Sequence, residues 1–416
     1  MLRKLRSYFT IYNGFTRSIY VLFFARLINS MGNFVYPLLT MLLTGKLGFT
    51  PKMAGDFVSF AAVSYVPGAL LGGKLCDLFG RKKVLIFSQL FAAFCFIPCA
   101  FLGKSLLIPI LLILSGVFNG AAQPASNAMV TDLTKPNERQ AAFSMLYLGS
   151  NIGFAVGPLI AGFLYKNYIQ WVFLGNAIFI FLAVSLVFIF VEETLPSKTE
   201  VLEHLIEYEK AEEGNVFEVL LKRPTLLVYA FLSIFYTFVY IQGNFTTTLL
   251  LQQIFHEDAS KLFGILNSVN GIIVITMTTL IIHLTSKYEP IFNIFLAGLF
   301  FAVGFGMQYF ISAFPLFILS TIIWTIGEIL NTTSSGVYVA NHSPVTHRGR
   351  FNSIIFMISG SGIALGPLLM GRFINKYGVR SAWILVFFIT LIASFGMFLL
   401  YLFEKKKTVC RTKQAV

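Results

Sequence analysis

The chain has 416 residues, of which 56% are apolar, 16% aromatic and only 12% charged, and its mean hydropathy is +0.78. So little charge excludes a soluble globular domain and indicates a protein with several membrane spans. The net charge of +13 would suit a nucleic-acid-binding protein. In a membrane chain, however, an excess of Lys and Arg is better explained by topology and by contact with anionic lipids.

Apolar stretches long enough to cross a hydrocarbon core of about 30 Å recur along the whole chain. They predict twelve transmembrane helices with both termini in the cytoplasm, because that orientation places most of the 31 Lys and Arg residues on the cytoplasmic side. The first stretch is too long for the apolar core of a signal peptide. The predicted spans are 18–43, 53–77, 82–102, 105–130, 138–165, 170–191, 224–249, 259–284, 290–311, 314–340, 349–372 and 380–402.

One long connection, Glu192–Arg223, separates the sixth span from the seventh and holds nine of the eighteen acidic residues. Its part from Val201 onward has the pattern of an amphipathic surface helix, although a solvated linker explains it more simply. The sequence therefore predicts an all-α membrane protein with two pseudo-symmetric six-helix bundles. The predicted domains are residues 1–191, a cytoplasmic linker 192–223, residues 224–402 and a basic cytoplasmic tail 403–416.

The fifth span has a second copy in the eleventh. Residues 139–168 return, shifted by 209 positions, as residues 348–377, and Gly157-Pro158 corresponds to Gly366-Pro367. Because this shift is half the chain length, it indicates duplication of an entire half. Glycines one turn apart, such as Gly153 and Gly157, let another backbone approach closely. Ordinary helix packing is the alternative explanation of this pattern.

The connection between the second and third spans, Gly72–Leu85, resembles the loop signature of the major facilitator superfamily. Its matching residues are Gly73, Leu75, Asp77, Gly80, Arg81 and Lys82, while Leu78 stands where the family usually has a basic residue. The resemblance extends over the twelve spans and the central loop and implies an alternating-access transporter. It also implies gating roles for Gly73, Gly80, Arg81 and Asp77, with Asp77 joining the two halves near the start of the eleventh helix. A basic loop that only sets the topology would explain Arg81 but not Asp77.

The glycines of the fifth span also resemble the antiporter motif of this family, which is associated with drug–proton exchangers. The matching positions are Gly149, Gly153, Gly157, Pro158 and Gly162, and the resemblance implies a gating role for Gly153, Gly157 and Pro158. The arginine that the family carries in its fourth helix is absent here, and Gly116 occupies that position. The usual description of proton relay therefore stays open.

Four spans, at the first, fourth, seventh and tenth positions, carry polar residues three or four apart, which places each set on one helical face. A polar face is expensive in lipid, so each should face a water-filled cavity or another helix. This period of three spans matches the cavity-lining helices that the resemblance implies. The predicted substrate-binding residues are Arg26, Asn29, Asn33, Tyr36, Asn119, Gln123, Asn127, Tyr236, Tyr240, Asn244, Glu328 and Asn331.

Glu328 is the acid that falls near the middle of a predicted span, about 20 Å along at about 1.5 Å per residue. An ionisable group at that depth is a candidate for proton coupling or cation binding, and a permanent structural pair with Arg26 is the alternative. Asp132 lies at the cytoplasmic end of the fourth span, in a segment that resembles proton-driven multidrug exporters. It is the second candidate for proton coupling.

The sequence contains no nucleotide-binding loop and no hydrolase or metalloprotease motif, so we expect neither an enzyme, nor a cofactor, nor a metal site. We expect proton-coupled efflux of amphipathic or cationic drug-like compounds across the plasma (inner) membrane by a monomer in contact with lipid. The alternatives are uptake of a nutrient such as a sugar or peptide, by a proton symporter or a uniporter, and transport of a lipid or lysolipid. The sequence does not decide between these substrates.

Overall fold

The computed structural model describes residues 14–135, 138–195, 223–342 and 348–414, and the regular structure within these ranges is helical. The predicted amphipathic helix after Val201 lies outside the described residues, apart from Arg223. The α-helices are α1 (Arg17–Met31), α2 (Leu39–Met41), α3 (Pro51–Phe79), α4 (Arg81–Cys99), α5 (Leu107–Asp132), α6 (Arg139–Tyr165), α7 (Ile169–Phe190), α8 (Pro224–Ile241), α9 (Thr246–Phe255), α10 (Ala259–Thr285), α11 (Pro290–Gly306), α12 (Phe314–His342), α13 (Arg348–Tyr377) and α14 (Val379–Gln414).

Ten stretches in the described part of the chain are long and apolar enough to cross a membrane. One of them, Pro224–Thr285, contains three helices, α8 to α10. The predicted all-α membrane fold is confirmed. The count is lower than twelve because the first predicted span is interrupted and is not among the ten, and because the seventh and eighth predicted spans both fall within Pro224–Thr285.

The first interruption follows α1, which ends at Met31. The side-chain Oδ1 of Asn176, on α7, accepts hydrogen bonds from the backbone N–H groups of Phe34 at 3.1 Å and Val35 at 3.3 Å. Pro37 has no N–H group to give to a helix. The Asn176 side chain thus accepts hydrogen bonds from two backbone N–H groups that a continuous helix would have bonded internally. The break therefore leaves neither of these two N–H groups without a partner inside the membrane.

The second interruption lies at the equivalent place in the other copy, between α8 and α9. The buried Gln242 side chain accepts a hydrogen bond from the Thr246 hydroxyl at 2.7 Å and donates one to Phe238 O at 2.9 Å. Gln242 stands 209 positions after Asn33, the second residue beyond α1. Both copies therefore break their first helix at the same point, as duplication of a whole half would require.

The described residues belong to two compact units. The first takes in those within Met1–Gly48, Phe60–Glu207 and Glu257–Ile275, and the second those within Phe49–Ser59, Tyr208–His256 and Thr276–Val416. Each unit consequently contains the first turns of one helix from the other sequence half. These are residues 259–275, which make up more than half of α10, in the first unit and residues 51–59, the start of α3, in the second.

Backbone contact at glycine explains how these helix starts fit. In the second unit, a Cβ on Gly371 of α13 would lie 2.5 Å from Pro51 O, and a Cβ on Gly55 would collide with Pro367 O. In the first unit, a Cβ on Gly264 would lie 2.6 Å from Pro158 O, while a Cβ on Gly162 would collide with Ser260 O. Each contact in one unit is the 209-residue counterpart of a contact in the other. Only glycine permits such approach.

The duplicated glycine motif itself packs on the broken helix of its own half. A Cβ on Gly153 would lie 2.6 Å from Leu27 O, and one on Gly157 would lie 2.5 Å from Met31 O, both in the last turns of α1. The corresponding Gly362 and Gly366 meet α8 and the turn after it. These glycines thus set the position of the helix that carries the polar face.

Candidate substrate and coupling sites

The first unit contains an open cavity of about 260 Å³ between α1, α3, α4, α5 and α7. Arg26 and Asn29 of α1 line it, and Asn33 and Tyr36 do so from the interruption beyond α1. The spacing of three and four residues had predicted that Arg26, Asn29 and Asn33 share a face. Asn119 and Gln123 of α5 complete the set of predicted residues in the lining.

Arg26 is held from one side. Its Nε donates a hydrogen bond to the Ser150 Oγ of α6 at 2.9 Å, and Ser150 in turn donates to Leu146 O at 3.1 Å. This arrangement fixes the plane of the guanidinium while engaging only one of its nitrogens. Arginine has five N–H donors, so four remain for the cavity.

Amide side chains dominate the polar part of this lining. Gln89 Nε2 donates to Asn119 Oδ1 at 3.2 Å, and Gln123 Nε2 donates to Asn127 Oδ1 at 3.1 Å. Asn127 itself is exposed and lies outside the lining. Gln89 and Asn176 were missed by the sequence analysis because neither has another polar residue three or four positions away in its span. A lone buried amide in such a span was the available signal.

Tyr36 combines a structural and a lining role. Its hydroxyl lies 3.3 Å from Leu112 O and 2.8 Å from the Ser115 Oγ. Its ring meets Phe96 edge to face, with centroids 6.3 Å apart. The polar end of the ring is therefore already hydrogen-bonded, and Tyr36 offers the cavity a fixed wall.

In the second unit, Glu328 of α12 accepts a hydrogen bond from the Tyr240 hydroxyl of α8 at 2.8 Å. The Tyr240 ring lies 6.1 Å from Trp324, one turn before Glu328, and 6.4 Å from Phe301. The acid is half-buried. A carboxyl group beside aromatic faces in a membrane helix suits both a proton and an organic cation.

The other predicted residues of the second unit have structural partners. Tyr236 is 2% exposed and donates to Ile294 O at 2.9 Å, so it belongs to the packed core. Asn331 accepts a hydrogen bond from the Ser335 hydroxyl at 3.3 Å. Asn244 lies in the turn between α8 and α9, where its carbonyl accepts from the Thr248 hydroxyl at 2.9 Å.

A charged cluster occupies the end of the first unit where α3, α4 and α5 meet. Arg81 Nε lies 3.2 Å from Asp132 Oδ2, and Arg81 NH1 lies 3.7 Å from Asp77 Oδ1. The Asp132 side chain is 19% exposed, whereas that of Asp77 is 77% exposed. Asp132 also accepts from the Thr194 hydroxyl at 3.2 Å. Arg81 is thus bonded more tightly to Asp132 than to the aspartate of the loop signature.

Glu193, which the sequence analysis did not single out, completes this cluster. Its Oε1 accepts backbone hydrogen bonds from Arg81 at 2.7 Å, Lys82 at 3.2 Å, Thr194 at 3.0 Å and Leu195 at 3.3 Å. Partial burial raises the pKa of this carboxyl, but the four donors outweigh it and hold the pKa below its usual value. Glu193 therefore caps the N-terminus of α4 as an anion.

The glycines predicted to act in gating have unequal surroundings. Gly80 has φ of +100°, which favours glycine, and a Cβ there would also collide with the Glu193 carboxylate. A Cβ on Gly73 would meet nothing within 4 Å. Gly153, Gly157 and Pro158 lie on α6 at the contacts described above. The side chains at the start of α13, which the resemblance placed beside Asp77, lie outside the described part.

No group of three or more His, Cys, Asp or Glu side chains that could hold a metal ion occurs among the described residues. The chain presents an all-helical membrane fold, duplicated halves, a polar cavity and an acid within a membrane helix. These features are typical of a membrane transporter. The family model described as Major Facilitator Superfamily matches residues 22–363 and 294–414, so the chain belongs to this superfamily.

Three relatives illustrate the range of this family. An uncharacterised MFS-type transporter, YttB of Bacillus subtilis (strain 168), is 26% identical, and the match covers 96% of this chain and 98% of that protein. A Na(+), Li(+), K(+)/H(+) antiporter of Planococcus maritimus is 23% identical, with 80% and 84% covered. The multidrug resistance protein MdtH of Yersinia pestis (strain Pestoides F) is 27% identical over 39% of this chain and 41% of its own length.

Among solved structures, that of the peptide transporter POT in complex with sulfate matches with a TM-score of 0.75. It covers 95% of this chain and 95% of its own, at 17% identity. Identity this low supports the shared fold and leaves the substrate open. The protein is a multi-pass membrane transporter of small molecules, and its family consists of transporters, not enzymes.

Proposed function

We propose that this transporter exports amphipathic or cationic drug-like compounds in exchange for protons, by alternating access in the plasma (inner) membrane. In this proposal it is a monomer, both termini lie in the cytoplasm, and the two sequence halves, 1–191 and 224–402, act as the moving bundles. Glu328 carries the proton, and Asp132 serves the cytoplasmic end.

The observation that carries the proposal is the Glu328 site. Glu328 accepts a hydrogen bond from Tyr240 at 2.8 Å within an aromatic cluster that includes Trp324 and Phe301. When ionised, the carboxylate attracts a cation that the ring faces also stabilise. When protonated, it loses that attraction. A single group can therefore exchange a proton for a cationic substrate.

The relatives add support for exchange. One of them is named as a cation/proton antiporter and another as a multidrug resistance protein. The glycine motif Gly149–Gly162 of α6, which resembles the antiporter motif, packs on α1 and α10. Exchange needs no energy source on this chain other than the proton gradient.

The amide-rich cavity of the first unit favours a second candidate, uptake of a polar nutrient. Asn29, Asn33 and Asn119 offer hydrogen bonds to a solute with hydroxyl or amide groups. A symporter or uniporter of a sugar or peptide would use such donors. A lipid or lysolipid substrate would use the same donors for its headgroup. The direction of proton-driven movement separates these candidates from efflux.

Glu328→Gln is the test of the coupling site. In inside-out vesicles with an acidic lumen, wild-type protein should accumulate ethidium or rhodamine 110 and release it when nigericin removes the pH gradient. Glu328→Gln keeps the size and a hydrogen-bond acceptor for Tyr240 but cannot bind a proton. Accumulation should therefore fall to the level of vesicles without the protein, at equal amounts of folded transporter.

Glu289→Gln provides the matched control, since Glu289 is exposed at the residue before α11. Its accumulation should equal that of wild type. Full gradient-driven accumulation by Glu328→Gln would show that the proton is carried elsewhere. Uptake of sugars or peptides that follows an inward proton gradient, with no dye movement, would favour the second candidate.

A further inference from the structure

The cavity of the first unit has one sign of charge. Arg26 is the charged residue in its lining, and no Asp or Glu lines it in the described part of the chain. A guanidinium in a membrane protein is costly unless an anion or water compensates it. The fixed charge of this cavity therefore disfavours an organic cation and favours an anion.

The geometry of Arg26 suits an anionic oxygen group. Its Nε is occupied by Ser150 at 2.9 Å, whereas no hydrogen bond of its terminal nitrogens is seen within the described residues. Terminal nitrogens of arginine form a planar fork that matches two oxygens of a carboxylate or phosphate. The anchoring by Ser150 lowers the entropy lost when such a group binds.

Neighbouring amides supply further donors. Asn29 and Asn33 line the cavity beside Arg26, and neither side chain has a hydrogen-bond partner among the residues that the structure describes. Both are half-buried. An amide NH₂ group donates two hydrogen bonds, so a small anion could be bonded from more than one direction. The cavity volume, about 260 Å³, is sufficient for a benzoate-sized group.

Differences in sequence between the duplicated halves also support an anion-binding cavity in the first unit. The residue 209 positions after Arg26 is Phe235, and the residue 209 positions before Glu328 is Asn119. The first copy thus has a cation among amides where the second has an aromatic residue. The second copy has an acid among aromatic rings where the first has an amide. The two units have acquired opposite charges at positions that are not equivalent, because the counterpart of α1 is α8 and that of α12 is α5.

We infer that the cavity around Arg26 binds an anionic oxygen group of the substrate, a carboxylate or a phosphate ester, with Asn29 and Asn33 as additional donors. The inference rests on the proposed transport function and makes it more specific. The preferred compounds are amphipathic zwitterions, which carry both the cationic group that the proposed function requires and an anionic oxygen group for Arg26.

Rhodamine 110 and rhodamine 123 test this inference, because they differ only by a carboxylate that is a methyl ester in rhodamine 123. Fluorescence anisotropy on the purified full-length protein in nanodiscs, without a pH gradient, gives the dissociation constant of each dye. Wild type should bind rhodamine 110 about ten-fold or more tightly than rhodamine 123, as a charge-assisted fork to a carboxylate requires. Arg26→Gln should bring this ratio close to one, and Arg26→Lys should keep part of it.

Three controls separate recognition from general effects. Arg380→Gln removes an arginine outside the cavity, where it bonds Tyr309 O and Ser312 Oγ, both at 2.7 Å; the ratio should not change. Ser150→Ala removes the anchor but keeps the charge, so the ratio should fall less than in Arg26→Gln. Because a ratio is measured within each variant, a general loss of affinity cancels. Benzoate and phenyl phosphate, used as competitors, distinguish a carboxylate site from a phosphate site, and displacement by either supports the inference.

A wild-type ratio near one, or a ratio that Arg26→Gln leaves unchanged, would overturn the inference. So would an equal effect of Arg380→Gln, a lack of displacement by both anions, or a lack of binding by both dyes. The binding assay uses no proton gradient. The ratio of dissociation constants can therefore be interpreted even if proton-driven efflux is not found. Conversely, gradient-driven efflux with a ratio near one would reject only the anion site.

Discussion

At the scale of single residues, Arg81 pairs with two acids, and the loop signature contains only one of them. The signature drew attention to Asp77, yet the Asp77 side chain is 77% exposed and 3.7 Å from Arg81. Asp132, from a different helix, is 19% exposed and 3.2 Å from Arg81. Exposed ion pairs contribute little to stability, whereas partly buried charge-assisted hydrogen bonds contribute more.

We therefore expect Asp132→Asn to destabilise the protein by about 1–3 kcal/mol, because Arg81 would lose the closer and more buried of its two ionic partners. Asp77→Asn should cost less than about 0.5 kcal/mol. Thermal unfolding of both variants in detergent, at pH 8, measures the difference as a larger fall in Tm for Asp132→Asn. If Asp132 instead holds a proton at rest, Asn replaces it without loss, and equal Tm values would identify that case.

Single residues also show the limit of predicting the candidate site from the sequence. The spacing of Arg26 and Asn29 predicted that they share a face of the helix, and both line the cavity. Asn33 lines the same cavity from the interruption beyond α1 and not from the helix, so helical spacing does not explain its position. Tyr236 and Tyr240 also share a spacing of four, yet the first is in the core and the second meets Glu328. Four residues rotate by about 40° from a full turn. That rotation places Tyr236 in the packed core and Tyr240 beside Glu328, and the sequence does not reveal it.

At the scale of helices, the ends of α12 and α14 form a small polar cluster. His342 Nε2 lies 3.1 Å from Glu404 Oε1, and its Nδ1 lies 2.9 Å from Tyr338 O. The Tyr338 hydroxyl donates to the same Glu404 oxygen at 2.6 Å. Both ring nitrogens of His342 face acceptors, so the doubly protonated imidazolium satisfies the arrangement best. The hydrogen bond to Glu404 raises the pKa of His342, against partial burial and the charge of Arg223.

This raised pKa makes the contact between the two helices depend on pH. A histidine whose folded pKa exceeds its unfolded pKa, about 6.5, stabilises the fold fully below that value. The contribution disappears as the pH rises through the folded pKa. We expect the Tm difference between wild type and His342→Gln to be largest at pH 6 and smaller at pH 9.

His283→Gln is the control for that measurement, since His283 is exposed near the end of α10. It should show no Tm difference that varies with pH. A difference for His342→Gln that stays constant from pH 6 to pH 9 would mean that packing of the ring, and not its charge, stabilises the contact.

The helix breaks mark the limit of prediction at this scale. Hydropathy predicted a continuous span over 18–43, because a break does not lower the mean apolar character. The break depends on Asn176, which bonds backbone groups more than a hundred positions earlier in the chain. Such a non-local contact has no local signature. The repeat did contain a hint, since Asn33 and Gln242 are equivalent amides in both copies.

At the scale of the whole molecule, the repeat predicted more than any single motif. It indicated two related halves, and the structure shows that the glycine contacts recur at a shift of 209 residues in each compact unit. What the repeat did not predict is the exchange of helix starts. The first turns of α10 pack within the first unit and those of α3 within the second. Exchange of this kind depends on which backbones meet, and glycine spacing alone does not identify the partner.

The exchanged helix starts give a direct test of alternating access. Within the first unit, Lys166 Nζ, just after α6, lies 2.7 Å from Glu257 Oε2, just before α10, and so joins the two sequence halves. Lys46 Nζ lies 3.2 Å from Lys166 O, within a single sequence half. If the end of α6 and the start of α10 separate in each transport cycle, a short thiol cross-link between Lys166→Cys and Glu257→Cys should arrest transport, and reduction should restore it. The matched cross-link between Lys46→Cys and Lys166→Cys shares position 166 and should leave transport unchanged.

Both cross-linked pairs are made in a background without Cys76, Cys95, Cys99 and Cys410, and transport is measured in proteoliposomes before and after reduction. Undiminished transport by the cross-linked 166–257 pair would show that the end of α6 and the start of α10 stay together throughout the cycle. Arrest by both cross-links would instead indicate that the loop around Lys166 must itself move.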